Sequence, residues 1–148
     1  MKMEPGELNH LVCRVSREHY RRSFTELAKY GVTQGQPRIL RYLRENDGCI
    51  QRDLSEHCHL EPATVTNVLS GMEKAGFVIR RSSPEDRRIQ RVFLTPEGES
   101  ALRQVDKAHL EIERECFEGF TPEEKEQAAV YLGRMADNIR KAEDSSRA

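Results

Sequence analysis

At 148 residues, 36% of them hydrophobic and 33% charged, the chain has room for one domain, or one small domain plus arms, around a modest core. The net charge of −1 argues against a general nucleic-acid coat protein, and with no Trp and few aromatics no aromatic stacking platform for sugars or bases is suggested. The balance suits an elongated, mostly helical protein whose spare apolar stripes are covered by a second copy of itself.

The charge is unevenly spread. Arg80, Arg81, Arg87, Arg88 and Arg91 crowd one short stretch, whereas Glu111, Glu113, Glu115, Glu118, Glu123, Glu124 and Glu126 crowd another. Such a division lets one end bind phosphate while the other repels it. Cys13, Cys49, Cys58 and Cys116 lie far apart with no CxxC or metal-finger spacing. No apolar run approaches the about 20 residues needed to cross a bilayer, and MKMEPGELNH lacks the apolar core of a signal peptide. These features predict a cytoplasmic protein with reduced thiols and no membrane contact.

In chain order, Leu8, Leu11, Val12 and Val15, extended by Phe24 and Leu27, recur at helical spacing opposite Arg14, Arg17, Arg21 and Arg22. This first helix should end near Tyr30-Gly31, where glycine takes a left-handed stop. Thr33 to Gln36 reads as a T-x-x-Q capping box, and Pro37 belongs in the first turn of the helix that follows. Ile39, Leu40 and Leu43 form its buried side, and Asn46-Asp47-Gly48 ends it. Cys49-Ile50 is a candidate two-residue strand, and a short helix from Gln51 to His59 buries Leu54 and Cys58.

Glu61-Pro62 opens the next helix with proline at its first position. Val65, Val68, Leu69 and Met72 make one apolar stripe, so Thr64, Thr66, Asn67, Ser70 and Gly71 are expected to face outward. After Lys74-Ala75-Gly76, the runs from Phe77 to Arg81 and Gln90 to Leu94 flank a turn-rich SSPEDRR tip and read as a β-hairpin. Thr95-Pro96 starts a helix whose Leu102, Val105, His109, Ile112 and Cys116 alternate by three and four, a seam that a partner helix is expected to cover. Gly119-Phe120 breaks it. Thr121 to Glu124 is a second capping box, and Ala128, Tyr131, Leu132, Met135 and Ile139 line a last helix that decays into a polar tail.

Two helices followed by a basic hairpin admit two readings. The bland one is an amphipathic helix with a solvated face and a solvated charge run. The sharper one is a helix-turn-helix, in which short polar side chains meet base edges and arginines at the hairpin tip enter the minor groove. The order of the pieces favours the second.

Over nearly its whole length the chain resembles the MarR family of bacterial transcription regulators. The resemblance is carried by T-x-x-Q at Thr33 to Gln36, by LSEHCHLEPATVTNVLSGMEKAGFVIRR, by R-x-x-x-x-D-x-R through Arg81, Asp86 and Arg88, and by LTPEG at Leu94 to Gly98. It implies a mostly α fold with a small β-hairpin wing (α+β): a winged helix-turn-helix over residues 32–95, flanked by dimerisation helices in 1–31 and 96–148. It further implies that Pro62, Ala63, Thr64, Thr66 and Asn67 begin the recognition helix and that Arg80 or Arg81 holds DNA at the base of the wing. Arg87 would take phosphate, Arg88 the minor groove, and Asp86 would brace the wing by pairing with arginine. Two positions depart from common family usage. Ile50 replaces a frequent capping Thr, which weakens that cap by about 1 kcal/mol, and Asn67 replaces a frequent Arg.

Members of such a family often respond to a ligand, metal or oxidant. Arg14, Arg17 and Arg38 are the candidate counter-charges for a small aromatic or anionic effector. Cys13 falls too late in the first helix for the peroxide-sensing branch and is expected to be a buried thiol. His57-Cys58-His59 has metal-like composition, but adjacent helical residues point apart, so neither a metal nor a cofactor is expected. His109 should be packed and hydrogen-bonded. No nucleophile–base pair, phosphate loop or HExxH motif suggests an enzyme. The expectation is a homodimeric, sequence-specific DNA-binding regulator, repression being the expected sign, that binds a palindromic double-stranded operator and is released by a small ligand. The alternative is a winged-helix module that binds protein instead of DNA.

Overall fold

The computed structural model of the protein describes residues 3–147; positions 1, 2 and 148, which the expected terminal segments include, lie outside the described residues. In order the elements are α1 (Glu7–Ala28), α2 (Gln36–Glu45), β1 (Cys49–Ile50), α3 (Gln51–Cys58), α4 (Pro62–Lys74), β2 (Val78–Ser82), β3 (Gln90–Leu94), α5 (Pro96–Cys116) and α6 (Pro122–Arg147). The chain divides within α5 into two compact units, Met1–Ile112 and Glu113–Ala148. The first unit thus holds α1, the winged body and most of α5.

The core of the first unit follows the apolar spacing of its helices. Ile39, Leu40 and Leu43 of α2, Leu54 and Cys58 of α3, and Val65, Leu69 and Met72 of α4 are buried together with Val78 and Val92 of the sheet. Burying one such aliphatic side chain stabilises by about 1.5–3 kcal/mol. Ala101, Leu102, Val105 and Ala108 of α5 lie in the same cluster. The seam on α5 that was expected to await a partner helix is therefore filled, as far as Ala108, by the chain's own core, and Ile112 is buried as well, whereas Cys116 is exposed. The uncovered apolar side chains lie elsewhere. In the first unit α1 exposes Leu8, Leu11, Val12 and Val15; in the second, α6 exposes Val130, Tyr131, Leu132, Met135 and Ile139.

Local signals set most boundaries. Gln36 is almost wholly buried, and its Oε1 accepts the Thr33 backbone N–H at 3.0 Å, so the reach-back half of the expected capping box forms while Gln36 itself opens α2. Asp53 accepts the Ile50 N–H at 3.3 Å, but isoleucine has no oxygen to return the bond, as its sequence position implied. At the start of α6 both halves of the box are present: Thr121 N–H donates to Glu124 at 2.8 Å, and Glu124 N–H to the Thr121 hydroxyl at 3.2 Å. That helix does not decay early but runs to Arg147. Serine hydroxyls at 145 and 146 bond back to the carbonyls of Lys141 and Ala142 within this last stretch.

The sheet is antiparallel in the order β1-β3-β2. The turn into β1 is locked to β3. Gly48 donates to the Val92 carbonyl at 2.9 Å, and Asp47 accepts the Leu94 N–H at 2.7 Å. At φ +77°, with the Phe93 ring 2.8 Å from where a Cβ would stand, position 48 admits only glycine without strain. Among the described residues no helix is long and apolar enough to cross a membrane.

Candidate nucleic-acid interface

The turn between α3 and α4 sets the angle at which the second helix leaves the body. His59 takes a left-handed conformation (φ 52°), and Ser55 closes the turn by donating its hydroxyl to the Leu60 carbonyl at 2.6 Å. Glu61 is extended and Pro62 occupies the first turn of α4, where its missing N–H costs nothing. With Val65, Leu69 and Met72 turned into the core, Pro62, Ala63, Thr64, Thr66 and Asn67 are all exposed. Among the described residues neither the Thr64 hydroxyl nor the Asn67 amide has a protein partner. Thr66 does: its hydroxyl donates to the Pro62 carbonyl at 3.0 Å and accepts from Gln51 Nε2 at 2.7 Å. Gly71, expected to face outward, instead faces the Gln36 side chain, whose Nε2 would lie 3.6 Å from a Cβ there.

In the wing, strand alternation sorts the arginines. β2 pairs with β3 so that Arg80 lies opposite Val92 and Arg81 opposite Arg91. Val78 and Arg80 point towards α4, where Arg80 pairs with Glu73. Hydrogen bonding from Arg80 is the main reason the Glu73 carboxyl titrates below its ordinary value. Arg81 lies on the opposite face, its guanidinium 5.8 Å from the centre of the Phe93 ring. Arg91 turns away from Arg81 and donates to the Gly48 carbonyl at 3.1 Å. Of the two arginines expected at the base of the wing, Arg80 is thus already partnered within the protein, and Arg81 is the exposed one.

The tip is held by backbone. Ser83 N–H donates to Ile89 O at 2.8 Å and Ile89 N–H to Asp86 O at 3.0 Å. Asp86 accepts the backbone N–H of Arg88 at 2.9 Å, so it braces the turn through the main chain and not through a guanidinium. The Arg87 and Arg88 side chains are exposed and have no partner among the described residues.

At the foot of the wing, the LTPEG stretch is explained by close packing. Thr95 donates its hydroxyl to the Gly76 carbonyl and accepts the Gly98 N–H at 3.0 Å. A Cβ at position 98 would stand 2.1 Å from the Phe77 carbonyl oxygen and 2.7 Å from Leu94 Cδ1. Gln51 and Gly98 escape a reading of the residues alone because each acts through a neighbour distant in sequence, and Glu73 because only the turn of the chain from α4 into β2 brings Arg80 back to it.

A cavity of about 440 Å³ lies in the same unit, lined by Tyr20, Ser23 and Phe24 of α1, Arg38 and Arg41 of α2, and His109 of α5, among others. Of the three arginines expected to meet an effector, only Arg38 lines it, and it also donates to the Cys58 carbonyl at 3.2 Å. Arg14 and Arg17 are exposed on α1 away from its lining, Arg17 standing 4.0 Å from Glu18. The Ser23 hydroxyl is buried without a hydrogen-bond partner. Arg41 donates to Asp106 at 3.1 Å and meets His109 Nδ1 at 2.9 Å; since a guanidinium only donates, Nδ1 must carry the lone pair. His109 titrates below its ordinary value, first through burial and then through Arg41 and His19. Burial opposes ionisation of Asp106, but the hydrogen bonds from Arg41 and Arg44 outweigh it and hold its carboxyl low.

The remaining candidates resolve simply. Cys13 is exposed, not buried as expected, because it lies on the uncovered length of α1, while Cys58 is in the core as expected. Burial, followed by Asp53, raises the Cys49 thiol to about 11, so it stays protonated near neutral pH. His57 stacks on Tyr42 at 5.0 Å while Cys58 points inward, and no cluster of metal-ligating side chains occurs among the described residues.

A three-stranded sheet with a protruding hairpin, packed beside a two-helix unit, defines a winged helix-turn-helix protein. Residues 32–90 match the MarR family. YdgJ of Bacillus subtilis, an HTH-type transcriptional regulator, is 32% identical over 113 residues, spanning 76% of this chain and 69% of the relative. The HTH-type transcriptional repressor YetL of the same organism is 28% identical over 135 residues, 90% of this chain and 74% of the relative. The fold of Bordetella bronchiseptica BpsR, whose structure concerns regulation of its DNA binding by 6-hydroxynicotinic acid, superposes with a TM-score of 0.76 at 24% identity, covering 88% of this chain and 98% of that one. The chain belongs to the MarR family, and it is a DNA-binding transcriptional regulator rather than an enzyme.

Proposed function

We propose that the protein is a homodimeric repressor of a palindromic operator, with the start of α4 in the major groove and Arg88 in the minor groove. The observation that carries this reading is that Thr64, Asn67, Arg87 and Arg88 are exposed polar groups on one compact unit with no partner among the described residues. In water they are merely solvated; against DNA they meet base edges and phosphates. Pro62, Ala63 and Thr66 would line the same groove, Arg81 and Arg87 would take phosphate, and Asp86 would hold the tip in shape. Arg80 would reach DNA only by leaving Glu73.

The apolar stripe of α1 supports a second copy as its cover, and so, independently, does that of α6. Repression follows the description of YetL. The cavity supports release by a small aromatic anion: Phe24 and Tyr20 offer ring faces, Arg38 a charge, and Ser23 a hydroxyl lacking a partner.

The test is a fluorescence-anisotropy titration with a duplex taken from the chain's own promoter region. Binding should weaken steeply with salt, and Arg88→Ala should weaken it further. Salt-independent binding, or an unchanged Arg88→Ala, would overturn the reading. Adding 6-hydroxynicotinic acid should lower the affinity of the wild type, and Arg38→Ala should blunt that response.

A further inference from the structure

Thr66 stands in the middle of the exposed face of α4, yet its hydroxyl proton is already committed. A hydroxyl carries one proton and two lone pairs. The proton lies on the Pro62 carbonyl, 3.0 Å away, and one lone pair takes the Gln51 Nε2–H at 2.7 Å. The directions are unambiguous, since a carbonyl only accepts and an amide nitrogen only donates. The two bonds also reinforce each other, because a hydroxyl that donates is a better acceptor.

Phosphate oxygens, guanine N7 and O6, adenine N7 and thymine O4 are all acceptors. A threonine whose proton is already committed cannot bond any of them without breaking the bond to Pro62. What Thr66 still has to offer a base is one lone pair, which only adenine N6–H or cytosine N4–H can use, and its methyl group, for which one base alone presents a matching apolar group in the major groove, the C5-methyl of thymine. Thr64 and Asn67, with no such partners among the described residues, keep their full hydrogen-bonding capacity, so the face of α4 divides into an apolar reader and polar ones.

We propose that Thr66 reads a thymine through its methyl group, and that Gln51, on the neighbouring helix, is the positioning residue that holds the Thr66 hydroxyl turned inward. The proposal rests on the DNA-binding reading above and names the base class that one residue of that site recognises. It also gives Gln51 a part in specificity that its place at the start of α3 does not suggest.

The experiment uses the full chain and a duplex selected from a random pool by the wild-type protein. Each thymine of one half-site is replaced in turn by deoxyuridine, which lacks only the methyl, and affinity is read by fluorescence anisotropy at fixed salt. One replacement should weaken wild-type binding about fourfold, the value of one buried methyl. Thr66→Val, which keeps the methyl and loses the hydroxyl, should keep the thymine-over-uracil preference, read as the ratio of its affinities for the two duplexes. Thr66→Ser, which keeps the hydroxyl and loses the methyl, should weaken binding about fourfold and show no further loss on the uracil duplex. Gln51→Ala should keep the salt dependence of the wild type while the thymine-over-uracil ratio falls towards one, which a merely structural role would not produce. The proposal is overturned if the thymine-over-uracil preference is lost in Thr66→Val, if the uracil penalty persists in Thr66→Ser, or if no thymine shows a penalty. A pool that yields no enriched duplex would instead overturn the DNA-binding reading itself.

Discussion

The base and the tip of the wing carry the same residue type in opposite circumstances. At the base, Arg80 is paired with Glu73 and Arg91 is bonded to the Gly48 carbonyl, while Arg81, over the Phe93 ring, is the exception that keeps its donors exposed. At the tip, Arg87 and Arg88 are held only through the backbone of the turn, with Asp86 accepting the Arg88 N–H. An arginine that has found a partner within the protein contributes to folding; one that has not keeps its donors for a ligand. A cluster of positive charge in a sequence is therefore two devices here, and the strand register separates them.

The largest expected effect comes from breaking the base. Gly98→Ala forces a Cβ to within 2.1 Å of the Phe77 carbonyl oxygen, where backbone must move. We expect a loss of about 3 kcal/mol, at the top of the usual overpacking range. A fall in urea midpoint at unchanged m-value would show it. Binding by the fraction still folded should be normal, because the tip is untouched.

Breaking the tip should do the reverse. Arg88→Ala should weaken operator binding by about 1–3 kcal/mol and relax selectivity at the minor-groove position, with no shift in the unfolding midpoint. Arg87→Ala should weaken all sequences alike and reduce the salt slope by about one. Equal losses of stability for tip and base variants would erase the distinction between them.

Arg80→Ala tests the base more gently. The pair with Glu73 is partly exposed, so its loss should cost no more than about 1 kcal/mol of stability. The Glu73 carboxyl is held below its ordinary value of 4.5 chiefly by the Arg80 hydrogen bond. Its contribution is present above the unfolded-state value and is lost as pH falls through the lower folded-state value. The difference in stability between wild type and Arg80→Ala should therefore shrink on acidification below about pH 4.5, as thermal unfolding at several pH values would show.

Much of this division was legible in the sequence and some was not, for reasons of distance along the chain. Helical spacing identified Ile39, Leu40, Leu43 and Leu69 as core, and turn chemistry located the hairpin, because both signals are local. The exposed face of α4 followed from the same period. What escaped was every role that depends on a long-range neighbour. Arg80 and Arg81 are adjacent and look equivalent until the sheet sends them to opposite faces. Gln51 is an ordinary first-turn residue until α4 brings Thr66 against it. The α5 seam of Leu102 and Val105 has a spacing that fits a partner helix or the chain's own core equally well, and only packing decides between them. Gly71 resembled a surface glycine because the buried Gln36 that it faces is 35 residues earlier in the chain.

The smallest expected effect comes from pH near neutrality, which leaves the tip alone. Arginines do not titrate in this range, so Arg87 and Arg88 keep their charge. His109 does titrate. It is packed beside Arg41, with His19 and Asp106 also acting on it; burial first, and the positive neighbours second, hold it below its ordinary value of 6.5, against the opposing pull of Asp106. Its Nδ1 must be unprotonated to accept from Arg41. The unfolded chain takes up a proton at this residue before the folded one does. Its contribution is thus fully present above about pH 6.5 and is lost as pH falls from there through the folded-state value. Thermal unfolding between pH 7.5 and pH 5.5 should show a steeper loss of Tm for the wild type than for His109→Gln, whose amide can keep a bond to Arg41 without titrating. Parallel pH profiles would mean that this contact adds nothing to folding, and that pH does not distinguish the arginines tied into the body from those left free at the tip.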